Sequence, residues 1–182
     1  FYGIHDPELK CKLVLDENEK KSVENFLKNN KEDFVTIDIG VNKNYNQNKF
    51  DNFDVWQEVV KKISKDIKVI QVGLKQKILE NAIDITNQTT FREAAGIVGK
   101  SKLFIGSEGG MVHAATSFDV KSVAVMTSFT HPKLVKYPKN DYIWLNSDNH
   151  GPCGMKIKCE KCHNNMKKLN PQDIIDKVYS KL

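Results

Sequence analysis

The sequence of 182 residues lacks several features that would place it in a class at once. No apolar run is long enough to span a bilayer, and the first residues lack the basic and apolar stretches of a signal peptide. No Gly-x-x-x-x-Gly-Lys-Ser/Thr run occurs, which argues against nucleotide hydrolysis through a P-loop. Internal repeats are also missing. We therefore expect a cytoplasmic globular domain rather than a membrane, secreted or repeat protein.

The chain also lacks a long basic block. Its 28 Lys and Arg residues are spread among 23 acidic ones, for a net charge of +5. This pattern excludes nucleic acid as the default partner, and it suits phosphate-bearing ligands or peripheral contact with an anionic membrane surface. The length fits one domain with a sizeable core. Because the chain begins at Phe1 without an initiator Met, we expect it to continue from a longer protein.

Cysteine is scarce, with four residues, yet three of them cluster near the C-terminus. Cys159 and Cys162 have the Cys-x-x-Cys spacing that lets two thiolates hold one metal ion. In a reducing compartment such thiols are more often metal ligands or free than disulfide-bonded. The spacing predicts a structural metal site, with zinc preferred to iron, and the alternative is a surface loop with reduced thiols. The predicted ligands are Cys153, Cys159, Cys162 and His163, with His150 or Cys11 as alternatives to His163.

Apolar spacing along the chain alternates between the period of a strand and that of a helix. Such alternation predicts an α/β domain with a parallel sheet covered by helices on both faces. We assign residues 1–30 to a strap and helix from an interdomain region, and residues 31–182 to the domain, including a Cys-rich loop at 150–163. Strands are predicted at 34–40, 67–73, 83–85, 103–106, 122–126 and 142–145. Helices are predicted at 18–30, 53–63, 90–99, 109–118 and 171–182, and a long polar loop at 41–52.

The segment Leu103 to Ala115 carries the strongest chemical signal. A buried strand ends at Gly106, and a helix follows that begins at Gly109 and Gly110. This arrangement directs unpaired backbone N–H groups and the positive end of a helix dipole at one point, where a phosphate would bind. Glycine allows a diphosphate to approach the backbone closely. The alternative is a plain strand-to-helix turn whose glycines serve its torsions.

The run from Asp84 to Met126 resembles the signature of glycosyltransferase family 9, the heptosyltransferases of lipopolysaccharide synthesis. The similarity lies in the helix start Thr90-Phe91-Arg92-Glu93, the turn from Gly106 to Ala115 with its His113, and a strand ending before Thr127. The resemblance implies a Rossmann-like, C-terminal nucleotide-sugar-binding domain, one half of a GT-B glycosyltransferase. Two positions depart from the family pattern. This chain has Glu108 where the family has Asp, and Gly109 where the family has Ser or Thr.

The resemblance also implies roles for individual residues. Lys49, with Lys43 as the competitor, would neutralise the leaving diphosphate. His113 is a family position, for which we favour a packed, supporting role over that of a catalytic base. Glu80 would face a ribose, although a helix-surface role is the commoner one. The predicted donor contacts are Gly106, Ser107, Glu108, Gly109, Gly110, Met111, Thr127, Ser128 and Thr130.

The expected function is therefore that of a donor domain. It would bind a nucleotide-diphospho-sugar, ADP-linked and heptose-like, for transfer to a cell-surface glycan or protein acceptor, in the cytoplasm or at the periphery of the inner membrane. Transfer would need no cofactor, and a missing N-terminal domain would supply the acceptor site. Some relatives that glycosylate autotransporter proteins hold iron with cysteines, so iron is a second candidate for the cluster. The alternatives are a degenerate nucleotide-binding or assembly module and, by fold analogy, a nucleotide-dependent epimerase.

Overall fold

Six parallel strands form the sheet in the computed structural model, which describes residues 11–40, 43–135 and 137–182. The strand order is β3-β2-β1-β4-β5-β6. This confirms the predicted Rossmann-like α/β class. The strands are β1 (Phe34–Asp38), β2 (Lys68–Gln71), β3 (Ile83–Asp84), β4 (Phe104–Ser107), β5 (Ser122–Thr127) and β6 (Asn140–Leu145).

The helices begin where the sequence provides caps. Asp16 with Glu19, and Thr90 with Glu93, form capping boxes in which each partner satisfies a free backbone N–H group. A short 3-10 turn occupies Pro132–Leu134. The helices are α1 (Glu17–Lys28), α2 (Phe53–Ile63), α3 (Phe91–Val98), α4 (Gly110–Ser117), α5 (Glu160–Met166) and α6 (Pro171–Tyr179).

The helices pack in two layers, one on each face of the sheet. Helices α2, α5 and α6 share one core cluster with the β1 side chains Val35 and Ile37. Helices α1, α3 and α4 share the other with Phe34. Successive side chains of β1 point to opposite faces of the sheet because a strand has a two-residue period, and strands buried on both faces are typical of parallel sheets. Among the described residues, no helix is long and apolar enough to cross a membrane.

The direction of the chain connections reverses between β1 and β4. From β1 the chain moves to β2 on one side, whereas β4 lies against β1 on the other. Asp38 is in register with Gly106 across this pair. A Cβ atom at Gly106 would lie 2.3 Å from the Asp38 carbonyl oxygen, so only glycine fits there. Such a reversal opens a crevice at the carboxyl ends of the strands, where ligands bind in open α/β sheets.

The structure differs from the predictions in a few elements. Helix α5 begins within the segment predicted as a Cys-rich loop and continues past its end, because Cys162 and Met166 are buried at helical spacing. Strand β6 begins two residues earlier than predicted. Helix α1 packs on α3 through Val23, although the division of the chain at residue 30 stays a prediction. Residues 1–10 of the predicted strap and 41–42 of the predicted loop lie outside the described residues.

Candidate functional site

The N-terminus of α4 is the centre of the site. Gly109 precedes its first turn and, having no side chain, makes no side-chain capping hydrogen bond to it. The first N–H groups of an α-helix have no partner within the helix, and together with the dipole they favour an anion. The predicted turn therefore has the geometry of a phosphate site.

Lys49 lies directly beside this turn. Its Nζ donates a hydrogen bond to the Glu108 carbonyl oxygen at 3.0 Å and is 3.7 Å from the Glu108 carboxylate. Both side chains are 19% exposed, so the charges are only partly screened by water. A Cβ atom at Gly109 would lie 3.8 Å from the same Nζ. The structure thus brings Lys49 together with the predicted glycine turn.

Lys43, the competitor, is committed to the loop that carries Lys49. Its Nζ donates to the Lys49 carbonyl oxygen at 2.9 Å and lies 3.0 Å from an Asp51 carboxylate oxygen. It also lines the cavity next to the turn. The geometry therefore favours Lys49 as the cation at the helix end and gives Lys43 a supporting position.

A cavity of about 620 Å³ opens beside the N-terminus of α4. This volume is within the range of small-molecule pockets. Gly110 and Met111 line it together with Asp38, Gly73 and Phe91. The cavity thus lies beside the helix end, at the carboxyl ends of β1 and β2.

Among the described residues of this lining Asp38 is the one carboxylate, and the predicted site residues do not include it. Burial raises its pKa from 3.8 to about 6, against the opposing effects of hydrogen bonds from Gly40 and Gln76 and of the Lys49 charge. Its Oδ1 accepts from the Gly40 N–H at 2.9 Å and from Gln76 Nε2 at 3.2 Å. An acidic residue at the end of a predicted buried strand, just before a glycine, was the available signal.

Three hydroxyl groups that are predicted to contact the nucleotide-sugar donor form hydrogen bonds within the protein instead. Ser107 Oγ donates to the Phe50 carbonyl oxygen at 2.5 Å, and Ser128 Oγ donates to the carbonyl oxygen of Leu145. Thr127 Oγ1 accepts from the N–H of Phe129 at 3.4 Å. All three residues are buried at the ends of β4 and β5. In this conformation their hydrogen bonds stabilise the ends of β4 and β5.

Two other predicted residues lie apart from the glycine turn. Glu80 is exposed in the loop before β3, where its backbone exchanges two hydrogen bonds with the Gln57 side chain. Thr130 follows β5, and its carbonyl oxygen accepts from the indole N–H of Trp144 at 3.1 Å. The structure gives neither a place in the cavity lining that it describes.

His113 is tied into the protein interior. Its Nδ1 lies 2.6 Å from the Tyr137 hydroxyl, which in turn lies 3.0 Å from the Cys11 thiol. Burial and the contact with Cys11 raise the pKa of Tyr137 above its usual value. The geometry agrees with a packed histidine that supports α4, and it also assigns Cys11 to this contact rather than to the cysteine cluster.

Four potential ligands converge in the C-terminal loop. His150, Cys153, Cys159 and Cys162 place their ligand atoms within 4.8 Å of one another. Cys153 Sγ is 3.2 Å from Cys162 Sγ, and His150 Nε2 is 3.2 Å from Cys159 Sγ. Ligand atoms around a tetrahedral zinc ion are about 3.5–4 Å apart, so a small expansion accommodates the ion. These residues fit zinc or iron.

The fourth ligand is a correction to the prediction. His163 lies outside the group, with its Nε2 3.1 Å from the Gln47 carbonyl oxygen. Cys162 and His163 are neighbours on α5, and successive side chains of a helix diverge by about 100°. His150 arrives instead from the loop after β6.

The thiols of the cluster differ in their affinity for protons. The Cys162 N–H group and the His150 side chain lower the pKa of Cys159 to about 7, although burial opposes them. Burial raises the pKa of Cys162. Thiolates are the metal-binding form, so Cys159 gives up its proton to a metal ion more readily than Cys162 does.

Solved structures with a similar fold are glycosyltransferases. The E. coli ADP-heptose lipopolysaccharide heptosyltransferase II superposes with a TM-score of 0.69 at 15% identity, over 97% of this chain and 55% of that one. The family 9 glycosyl transferase of Veillonella parvula gives 0.70 at 15%, over 98% and 56%. The iron-containing dodecameric glycosyltransferase TibC of enterotoxigenic E. coli gives 0.65 at 15%, over 94% and 47%. The fold is a glycosyltransferase fold.

The predicted likeness to heptosyltransferases is thereby confirmed at the level of the fold. The chain spans about half the length of the proteins that it matches. A further structure of TibC contains ADP-D-β-D-heptose. No protein-family model matches the sequence, and the search of curated proteins gives no match.

Proposed function

We propose that this chain is the donor-binding half of a family 9, heptosyltransferase-like glycosyltransferase. The observation that carries the proposal is the N-terminus of α4, which begins with glycine, has no side-chain cap, lies beside Lys49 and opens on the cavity at the carboxyl ends of β1 and β2. The donor is a nucleotide-diphospho-sugar whose diphosphate sits at Gly109, Gly110 and Met111. An ADP-linked, heptose-like sugar is favoured because similar structures are heptosyltransferases and one contains ADP-heptose.

The proposed chemistry needs charge stabilisation more than proton transfer from this half. The glycosidic bond to the diphosphate breaks while an acceptor hydroxyl attacks the sugar. The backbone N–H groups of α4 and the Lys49 ammonium offset the negative charge that develops on the departing diphosphate. The general base and the acceptor site, for a glycan or protein, belong to an N-terminal half, consistent with the share of its relatives that this chain spans.

The metal proposal is separate from transfer. His150, Cys153, Cys159 and Cys162 would hold a structural zinc or iron ion, which would close the loop before α5. One structural relative is an iron-containing glycosyltransferase, which supports iron beside zinc. The bound ion would supply cross-linking of the loop and no step of the transfer.

A second candidate function is a degenerate nucleotide-binding or assembly module. The specific observation in its favour is Glu108, whose carboxylate lies 3.7 Å from Lys49 and would compete with a diphosphate for that charge. The hydroxyl groups of Ser107 and Ser128 also favour this module, because both already donate hydrogen bonds to backbone carbonyl groups. Such a module would bind nucleotides weakly and would not transfer sugar.

The test is calorimetric titration of the purified chain with ADP, UDP, GDP and CDP. Gly110→Asp places a negative charge at the helix end, and Gly110→Asn is the matched neutral control. Both add a Cβ atom that would lie 3.3 Å from the Phe91 ring, so they share the same steric effect. We expect selective ADP binding that Asp weakens about tenfold more than Asn, because it repels the diphosphate.

Binding of another nucleotide keeps the transferase and changes the sugar. Equal effects of Gly110→Asp and Gly110→Asn on ADP binding would contradict the proposal that the diphosphate binds at the helix end. Absence of binding at millimolar nucleotide would refute donor binding by this chain and favour the degenerate module.

A further inference from the structure

A short segment, residues 46–49, lies between the cysteine cluster and the glycine turn of α4. Toward the cluster, the Gln47 backbone N–H donates to the Lys156 carbonyl oxygen at 2.9 Å. The Lys158 N–H donates to Gln47 Oε1 at 3.0 Å, and His163 Nε2 contacts the Gln47 carbonyl oxygen. The segment is therefore fastened to the loop that carries the thiols.

Asn48 makes the central contacts of this fastening. Its side chain is fully buried, and both Nδ2 hydrogens are used, by the carbonyl oxygens of Met155 and Ile157. Its Oδ1 accepts the backbone N–H of Cys159 at 2.8 Å. A buried amide with these three bonds is costly to leave without partners.

On its other side the same segment sets the glycine turn. Lys49 follows Asn48 directly and donates to the Glu108 carbonyl oxygen. The next carbonyl, of Phe50, accepts from Ser107 Oγ. Cys159 is thus connected to the residues before α4 by the hydrogen bond to Asn48, the backbone link from Asn48 to Lys49, and the hydrogen bond from Lys49 to Glu108.

The partners of Asn48 depend on the cluster for their position. Residues 154–158 are exposed and have no helix or strand hydrogen bonds of their own. The loop is held at one end by Cys153, whose N–H donates to the Ser128 carbonyl oxygen, and at the other by Cys159. When the thiol and imidazole ligands at these two ends are held together, the loop between them is restrained, and so are the Met155 and Ile157 carbonyl groups that accept from Asn48.

We propose that Asn48 is a positioning residue that couples the state of the His150/Cys153/Cys159/Cys162 cluster to the placement of Lys49. With the cluster closed on a metal ion, Asn48 holds Lys49 at the glycine turn. With the cluster open, Lys49 leaves the Glu108 carbonyl and the turn loses its cation. The consequence for donor affinity rests on the proposed function, whereas the coupling itself does not.

The experiment measures the rate at which an amine-reactive label modifies Lys49, by mass spectrometry, in zinc-loaded and chelator-treated chain. Lys68 is the internal reference, because its side chain is similarly exposed, at 24%, and its ion pair with Glu32 lies at the amino ends of β1 and β2, away from the glycine turn. Asn48→Asp keeps the side-chain shape and the acceptor but loses both donors. Gln47→Glu is the matched control, since it adds the same charge and keeps its acceptor for Lys158.

We expect removal of zinc to speed labelling of Lys49 about fivefold or more relative to Lys68. Asn48→Asp should show the fast rate with and without zinc, and Gln47→Glu should behave as wild type. An unchanged Lys49 rate on zinc removal overturns the coupling. So does a zinc response in Asn48→Asp equal to that of wild type. If Asn48→Asp does not fold, the wild-type comparison decides alone.

Calorimetry with ADP on the same samples separates the two proposals. Weaker ADP binding whenever Lys49 labels faster supports both. A labelling response in a chain that binds no nucleotide keeps the coupling and refutes the proposed function. If the ADP affinity is the same with and without zinc while the Lys49 labelling rate changes, the link between Lys49 placement and donor binding is overturned.

Discussion

Asp38 makes a sharp prediction about the pH dependence of folding. Its pKa is about 6 in the folded chain against an ordinary value of 3.8. The folded state therefore holds this proton more tightly than the unfolded state does. As pH rises from about 4 to above 6, the group lowers the free energy of unfolding, and the loss stays constant at higher pH.

The magnitude follows from the size of this shift. A difference of about two pKa units corresponds to about 3 kcal/mol, and partial exposure of the side chain reduces this to about 1–3 kcal/mol. Asp38→Asn keeps an oxygen for the Gly40 and Gln76 donors and removes the charge. It should raise the free energy of unfolding by that amount at pH 8 and leave it nearly unchanged at pH 4.

The assay is urea unfolding of both proteins at the two pH values, followed by circular dichroism. Asp84→Asn is the matched control, because Asp84 also ends a strand and accepts the N–H group two residues later, that of Thr86, at 2.9 Å, but it does not line the cavity. A gain for Asp38→Asn of equal size at pH 4 and pH 8 would refute the argument, since it would show an effect of packing rather than of charge.

Two further predictions concern the turn and the cluster. Gly106→Ala should lower the free energy of unfolding by about 2 kcal/mol or more in thermal or urea melts, because its Cβ would meet the Asp38 carbonyl. Gly109→Ala, with nothing closer than 3.8 Å, should change it little, and similar losses for the two would contradict the close-approach argument. Zinc at 100 times its Kd should add about 2.7 kcal/mol of stability. His150→Ala should abolish most of this gain and His163→Ala little, whereas the reverse would restore His163 as the ligand.

The order of elements in this chain is predictable from the sequence because each carries a local signal. The capping box at Thr90 and Glu93 and the glycines before α4 mark helix starts within a residue or two. Strands such as β5 are continuous apolar runs, as parallel strands buried on both faces should be. The Cys-x-x-Cys spacing of Cys159 and Cys162 favours a loop of metal ligands and so conceals helix α5, although Cys162 and Met166 have helical spacing.

The site was only half predictable, because its remaining members meet through tertiary packing. The helix end is local in sequence, whereas Asp38 joins it only through the pairing of β1 with β4. The choice between His150 and His163 depends on how the loop after β6 folds over α5, and spacing alone favoured the residue next to Cys162. The hydroxyl of Ser128 looked like a ligand contact by its position and proves to be used by a neighbouring carbonyl.

Lys49 and Glu108 are where the transferase and the degenerate module diverge physically. The Lys49 ammonium donates a hydrogen bond to the Glu108 backbone carbonyl, and a bound nucleotide-sugar need not disturb this bond. The Glu108 carboxylate lies 3.7 Å from the ammonium, a distance that is too long for a hydrogen bond. A diphosphate carries more charge than one carboxylate and is also bound by the N–H groups of α4, so it can displace Glu108 without moving Lys49. In the proposed transferase, Glu108 would then lower donor affinity and leave the cation in place for the leaving group, which is a cost to binding and not a loss of the chemistry.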